Sequence, residues 1–338
     1  MKDSRRKFIK NTMVLGAASL AGATILNAKT DDKNRENKMN TQIWYITAAS
    51  GGLGLALAKY LLSKGDKVAG TSRNLKNIID KLGKESENFL PLELKFGEKM
   101  SENIEANIAA IKSKFSRLDN VVNNAGYGLL GFVEETSEKD LRAQFEVNVF
   151  APFLVAKHAL KLMRPQAISE GGNAQNVKAR IFNLSSIGGF RVTNNSTPYC
   201  MSKFALSAFS EGLLLDLKDF GIRSVNIMPA GFRTEFLGTS MELSRDKIGD
   251  YDAKREAFEA HAKNYSGKQA GNPAKFAEIL YDVSRMQEPP FSLFLGAAAF
   301  SSARNKIAWL EEDMKNTEHY ARSAADFENS AGSAFSTR

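Results

Sequence analysis

The chain's most chemically suggestive spacing is Tyr199-Cys-Met-Ser-Lys203. On a helix, residues i and i+4 share a face, so a phenol and an ammonium are set side by side. A positive charge beside a phenol favours the phenolate and lowers its pKa, which suits a tyrosine that gives and takes protons. Thirteen residues upstream of Tyr199, an extended apolar run ends in Asn183-Leu-Ser185-Ser186-Ile-Gly-Gly. Either serine can bring a hydroxyl to the carboxyl edge of a sheet, where open α/β sheets bind ligands. Metal chemistry has no comparable basis. His158, His261 and His319 are scattered, and Cys200 is alone, so no short ligand spacing and no internal disulfide exist. A calcium or zinc hydrolase is set aside for the same reason.

Elements able to position such groups follow from the hydropathy pattern. Short apolar runs at 42–47, 67–73, 89–94, 120–124, 179–185, 224–228 and 291–295 read as buried strands. Helical stretches lie near 101–115, 138–163, 200–219, 273–287 and 302–315. Strands separated by helices predict a three-layer α/β fold of the Rossmann type, one doubly wound parallel sheet of about seven strands with helices on both faces. The first strand runs through Thr47-Ala-Ala-Ser50-Gly-Gly52-Leu53-Gly54 into a helix. Glycines there let the backbone approach a pyrophosphate, which the helix N-terminus attracts. Two glycine spacings fit, one using Gly52 and Gly54 and the other Gly51 and Gly54, and both expect glycine where Ala48 stands. The second strand ends Thr71-Ser72-Arg73-Asn74, without the carboxylate that would hold an NAD ribose. Arg73, helped by Ser72, suits a 2′-phosphate instead.

Further motifs occur in order over about residues 42–300: Asn123-Asn124-Ala125-Gly126 after the fourth strand, Asn148 within QFEVNVFAP, and Pro229-Ala-Gly231-Phe-Arg-Thr234 after the sixth. With Ser186, Tyr199 and Lys203 they make the chain resemble the short-chain dehydrogenase/reductase family, in the compact branch akin to bacterial NADP-preferring oxidoreductases and hydroxysteroid dehydrogenases. The resemblance selects Gly52 and Gly54 as the turn glycines. It implies reversible hydride transfer between NADP(H), with NAD less favoured, and a ketone, aldehyde or steroid-like substrate or its secondary alcohol. Tyr199 would exchange a proton with the substrate oxygen, Ser186 would hydrogen-bond that oxygen, Lys203 would hold the nicotinamide ribose, and Asn148 would anchor a proton-relaying water. Cofactor contacts are implied for Thr47, Ser50, Gly52, Leu53, Gly54, Ser72, Arg73, Asn124, Ala125, Gly126, Tyr199, Lys203, Pro229, Gly231 and Thr234. Glu93 stands where the family usually has Asp near the adenine. Ala48 and Ala230 replace common family glycines. Family members commonly pair through the helices carrying Asn148 and Tyr199, so a homodimer or homotetramer is expected. A cofactor-binding sensor or assembly protein without turnover is the other reading, and its mark would be a broken Ser-Tyr-Lys set.

The 338 residues are 43% hydrophobic, 25% charged and carry a net charge of +8, a composition ordinary for a globular chain. Residues 1–40 hold nine basic and four acidic side chains, +5 of that total, so the basic balance does not point to nucleic acid. Residues 1–28 combine a charged start containing Arg5-Arg6 with an uncharged run from Asn11 to Ala28, the layout of an export signal resembling the twin-arginine type. Periplasmic placement follows, with a cytoplasmic or membrane-tethered protein if the segment is unused or uncleaved. The run is short and diluted with Gly, Ser, Thr and Asn, unlike a stable membrane span. Residues 29–40 read as a polar linker, and 41–338 as one domain, with a substrate lid at 235–270 and a helical extension from about 300. Phe190, Phe232 and Phe236 are candidates for an apolar pocket lining or for core.

Overall fold

The computed structural model describes residues 41–323; the expected export signal at 1–28, the expected linker at 29–40 and residues 324–338 lie outside the described residues. In chain order the elements are β1 (Ile43–Ile46), α1 (Gly52–Ser63), β2 (Lys67–Ser72), α2 (Leu75–Leu82), β3 (Phe89–Glu93), α3 (Met100–Phe115), β4 (Asn120–Asn123), β5 (Gly128–Leu130), α4 (Glu138–Phe145), α5 (Ala151–Ser169), β6 (Ala179–Leu184), α6 (Thr197–Leu217), β7 (Ile222–Pro229), β8 (Met241–Leu243), α7 (Asp252–Tyr265), α8 (Pro273–Val283), β9 (Ser292–Leu295) and α9 (Ala297–Ser323). Seven strands form one sheet in the order β3-β2-β1-β4-β6-β7-β9, all paired in parallel. Chain direction across the sheet reverses between β1 and β4, and the crevice outside their carboxyl ends is where such sheets bind ligands.

The sheet's two faces follow from the period of two along each strand. Ile43 and Tyr45 of β1, Val121 of β4 and Ile181 of β6 belong to one core with Ile104 and Ile111 of α3, Val155 and Ala159 of α5 and Leu213 of α6. Trp44, Ile46, Val122 and Phe182 belong to the opposite core with Leu57 and Leu61 of α1 and Phe276 and Leu280 of α8. Strands buried on both faces read as unbroken apolar runs, and this is why they are legible without alternation.

Three features depart from the sequence expectations. Helix α2 was not anticipated; Asn74 starts it by accepting a hydrogen bond from the Lys76 amide, a local cap that eight residues of mixed polarity do not advertise. Strands β5 and β8 form a second, parallel two-stranded sheet, with Gly128 opposite Met241 and Leu130 opposite Leu243. Between α4 and α5, residues Glu146–Phe150 form a π-helical turn, a distortion frequent at functional sites.

Candidate active site

Helix α6 carries Tyr199 and Lys203 in its first turns, and β6 delivers Ser186 just beyond its carboxyl end. The Ser186 hydroxyl lies within hydrogen-bonding reach of the Tyr199 phenol and accepts from the Gly188 amide at 3.0 Å. Ser185 faces elsewhere: buried, it donates to the Lys203 carbonyl at 3.0 Å and lies 2.9 Å from the Ser207 hydroxyl. Ser186 is therefore the serine of the cluster. Lys203 is 4% exposed, donates to the Leu184 carbonyl at 2.7 Å, and has Nζ 5.8 Å from the Tyr199 ring centre.

Burial corrects the electrostatic expectation for this pair. The Tyr199 phenol is pushed above its ordinary range by desolvation, and the Ser186 hydrogen bond offsets this only in part. Desolvation also lowers Lys203 to about 7, because an ammonium taken out of water without a carboxylate partner loses more than a backbone carbonyl returns. The charge meant to favour phenolate is thus itself suppressed when these residues have only each other.

Asn148 sits in the π-helical turn and is fully buried. Its Oδ1 accepts from the Tyr127 amide at 3.2 Å, and its Nδ2 donates to the Tyr127 carbonyl and the Ser202 hydroxyl, each at 3.0 Å. The side chain is committed to bracing the loop after β4 against α6. Gly126 occupies the corner between them: a Cβ there would stand 3.1 Å from Asn148 Oδ1 and 3.4 Å from Lys203 Nζ.

The glycine turn lies at the end of β1. Gly52 has φ +53, and a Cβ on it would face Thr234 at 3.7 Å. A Cβ on Gly54 would collide with Asn124 Nδ2 at 2.5 Å and the Ala48 carbonyl at 2.8 Å, so α1 needs glycine there to press against the turn after β4. Ala48 takes the left-handed conformation, φ 54, that explains why glycine was expected at its position. Thr47 is 2% exposed; its hydroxyl accepts from the Asn124 and Ala125 amides at 3.0 and 2.9 Å. Asn124 in turn donates to the Thr47 and Ala48 carbonyls. Thr47 and the Asn124 amide therefore shape the turn and have their polar groups spent inside the protein.

These residues fit a dinucleotide. The N-terminus of α1 has no side-chain cap and no acidic residue in its first turn, which includes Leu53, and nothing lies within 4 Å of a Cβ built on Gly51. Open backbone and free N–H groups at a helix start are what a pyrophosphate requires. At the end of β2, the Ser50 and Ser72 hydroxyls are 3.0 Å apart, and Arg73 is exposed. Lys81 of α2, not singled out from sequence, brings its ammonium to the Ser50 carbonyl at 2.8 Å. Glu93 pairs in register with Ser72 on the next strand, and its carboxylate is held by Lys95 at 2.6 Å.

On the far side, β7 ends at Pro229 and leads through Ala230 and Gly231 to Thr234. Gly231 is clamped: its carbonyl accepts from the Gly271 amide at 3.0 Å, and a Cβ on it would stand 3.0 Å from Tyr265 Oη. Thr234 caps the following turn by accepting from the Phe236 amide at 3.3 Å. Gln269 beneath this loop is 1% exposed, and both ends of its side-chain amide lack a partner among the described residues. Nothing in the polar stretch around it signals burial from sequence.

The three phenylalanines separate by location. Phe236 packs against Tyr199, ring centres 5.7 Å apart, and walls the site. Phe232 packs on Phe276 in the core, and Phe190 on Phe294 of β9. Residues 235–270 are tied down at several points besides the β5–β8 pairing. Glu135, 1% exposed, forms an ion pair with Arg255 of α7, and its carboxylate accepts from the Ile248 amide at 2.9 Å. The Tyr251 ring stacks on Phe132 at 4.2 Å. Among the described residues, no group of three or more His, Cys, Asp or Glu could hold a metal ion, and no helix is long and apolar enough to cross a membrane.

A parallel α/β sheet of Rossmann type, with a Ser-Tyr-Lys cluster and a glycine turn at its carboxyl edge, defines the class of protein. Comparison with known proteins is specific. The short chain dehydrogenase family model matches residues 42–243. Oxidoreductase BOA17 of Botryotinia fuckeliana is 34% identical over 269 residues, covering 78% of this chain and 92% of that one. A short-chain dehydrogenase from Streptomyces avermitilis superposes with a TM-score of 0.74 at 28% identity, covering 84% and 98% of the two chains. A short chain dehydrogenase/reductase from Burkholderia phymatum, solved in complex with NAD, shares the fold at a TM-score of 0.67, 20% identity and coverage of 86% and 98%. The chain belongs to the short-chain dehydrogenase family and is an oxidoreductase of that family.

Proposed function

We propose that the protein catalyses reversible hydride transfer between NADP(H) and a carbonyl compound or its secondary alcohol, of ketone, aldehyde or steroid-like character. The observation that carries this reading is the convergence of Ser186, Tyr199 and Lys203 on the sheet edge that also bears the uncapped start of α1. A bound nicotinamide supplies hydride to the carbonyl carbon or takes it from the alcohol. In reduction, Ser186 hydrogen-bonds the substrate oxygen as negative charge develops on it, and Tyr199 donates its phenolic proton to that oxygen. A phenol kept neutral by burial is in the form that donates. Lys203 holds the ribose hydroxyls and, once charged, stabilises the phenolate that Tyr199 becomes. Asn148, with its side chain spent on Tyr127 and Ser202, acts by fixing the geometry through which a water relays the proton. Thr234 and Gly231 close the nicotinamide side, and Phe236 excludes water beside Tyr199.

Preference for the 2′-phosphate rests on exposed Arg73, with Lys81 close by and no carboxylate at the end of β2. Homodimerisation through α4, α5 and α6 accords with Phe150, Phe153 and Phe204, which are large, apolar and exposed. Export follows from Arg5-Arg6 and the uncharged run behind it; cofactor that stays bound and is recycled by the substrate pair would meet the supply problem outside the cytoplasm.

Tyr199→Phe decides the mechanism. NADPH oxidation, screened against ketones, aldehydes, steroids and quinones, is expected to fall by about 100-fold or more, while NADPH binding measured by fluorescence titration is largely kept. A variant that turns over at near wild-type rate overturns the proposal.

A further inference from the structure

Helix α9 has 27 residues, about 40 Å of helix at 1.5 Å per residue. Only its start is built into the body: Ala299 and Ala303 are buried, whereas from Arg304 to Tyr320 the side chains are exposed, Lys306 being half-buried. Such a projecting segment gains little from intrinsic propensity in water and ordinarily depends on packing of an apolar face. That face exists. Phe300, Ile307, Leu310 and Met314 are 55%, 42%, 42% and 71% exposed. With Ala303 and Thr317 they recur at alternating steps of three and four, the a/d seam of a coiled coil.

Charges beside the seam identify what covers it. Arg304 and Glu311 flank one edge, and Lys306 and Asp313 the other. None of the four forms a side-chain ion pair among the described residues; Lys306 lies over the Trp309 ring at 3.7 Å. We propose that α9 is a self-association element, pairing antiparallel with α9 of a second copy of this chain about an axis between Ala308 and Trp309. Each Ile307 then layers against Leu310 of the other copy and Phe300 against Thr317, with Met314 directed toward the body end of the partner helix, where Ala303 is already covered by its own chain. In this register Arg304 meets Glu311 of the other copy and Lys306 meets Asp313, and twofold symmetry repeats both contacts. A register one heptad further along opposes Glu311 to Glu311 and Asp313 to Asp313. A parallel pair opposes Asp313 to Glu318. Only the first arrangement satisfies the seam and all four charges together.

The test is disulfide trapping of full-length chains. Cys200 is buried, so mild oxidation reads the introduced thiols. A mixture of Ile307→Cys and Leu310→Cys chains is expected to form the mixed disulfide severalfold more than an exposed control pair carrying Asn305→Cys, and more than either variant alone. Arg304→Glu in both chains should weaken trapping, and adding Glu311→Arg should restore it. Met314→Lys should abolish it with circular dichroism and NADPH oxidation unchanged. Mixed disulfide no greater than the control, or each variant trapping itself as well as the mixture does, overturns the antiparallel pair. This readout is independent of whether the protein reduces carbonyls and of any pairing through α5 and α6.

Discussion

Lys203 and Tyr199 are each pressed by burial toward their neutral forms, and a group that restores charge to one restores it for the benefit of the other. Lys203 is lowered to about 7 by desolvation, so at pH 8 it is mostly deprotonated when nothing anionic faces it. A dinucleotide brings negative charge and ribose acceptors, which favour the ammonium and raise its pKa. Binding at pH 8 should therefore take up close to one proton, and affinity should weaken as pH rises through 7 and above. Isothermal titration calorimetry of NADPH binding in two buffers of different ionisation enthalpy measures this directly. An observed enthalpy independent of buffer would show that Lys203 does not change state. At the other end of the cofactor, Arg73→Asp should place a carboxylate where a 2′-phosphate is repelled and a ribose 2′-hydroxyl is accepted. The NADPH to NADH ratio of kcat/KM is expected to fall by at least about tenfold, which corresponds to about 1.4 kcal/mol; an unchanged ratio counts against Arg73 as the selector.

Helix α1 and the turn before it show how element packing constrains single residues. Gly54 is required because α1 meets Asn124 and the Ala48 carbonyl at distances no Cβ tolerates. Ala48 carries a side chain in a left-handed backbone conformation, φ 54, where an L-residue costs about 1–2 kcal/mol relative to glycine. Ala48→Gly should stabilise the protein by about 1 kcal/mol after the extra unfolded-state entropy of glycine is deducted, raising Tm by about 2–4 °C. Thermal unfolding followed by circular dichroism checks it, and a lower Tm would mean that the methyl group packs favourably. The seven sheet strands were legible because each is a short, largely apolar run, with the central ones buried on both faces. Helix α2 was not, since its start rests on one Asn74 cap. The β5–β8 pair was not either, since three-residue strands brought together from residues 128 and 241 leave no periodic trace in either segment.

For the whole molecule, a seven-stranded sheet lies between two cores, and the segment after β7 is fastened over the site by the Glu135–Arg255 pair, the Phe132–Tyr251 stack and the small β5–β8 sheet. Its place in the cell is a separate matter, for which we propose residues 1–28 as the address. If Arg5-Arg6 addresses the protein for export, wild-type chain should fractionate with the periplasm and lose its first segment. The Arg5→Lys/Arg6→Lys variant should stay in the cytoplasm. Wild-type protein found in the cytoplasm with residues 1–28 intact would refute export.

Hydropathy pattern and motif order by themselves determined the fold class and the family and singled out the Tyr199–Lys203 pair as candidates, because buried parallel strands and a Tyr-x-x-x-Lys helix are local patterns. Tertiary structure decided what depends on neighbours distant in sequence. It chose Ser186 over Ser185, whose hydroxyl is tied to α6. It spent Thr47, Asn124 and Asn148 on bracing, and it kept only Phe236 of the three phenylalanines beside Tyr199. It also pressed Tyr199 above and Lys203 below their ordinary ranges, because desolvation depends on everything that surrounds a side chain, and the spacing of two residues on one helix contains none of it.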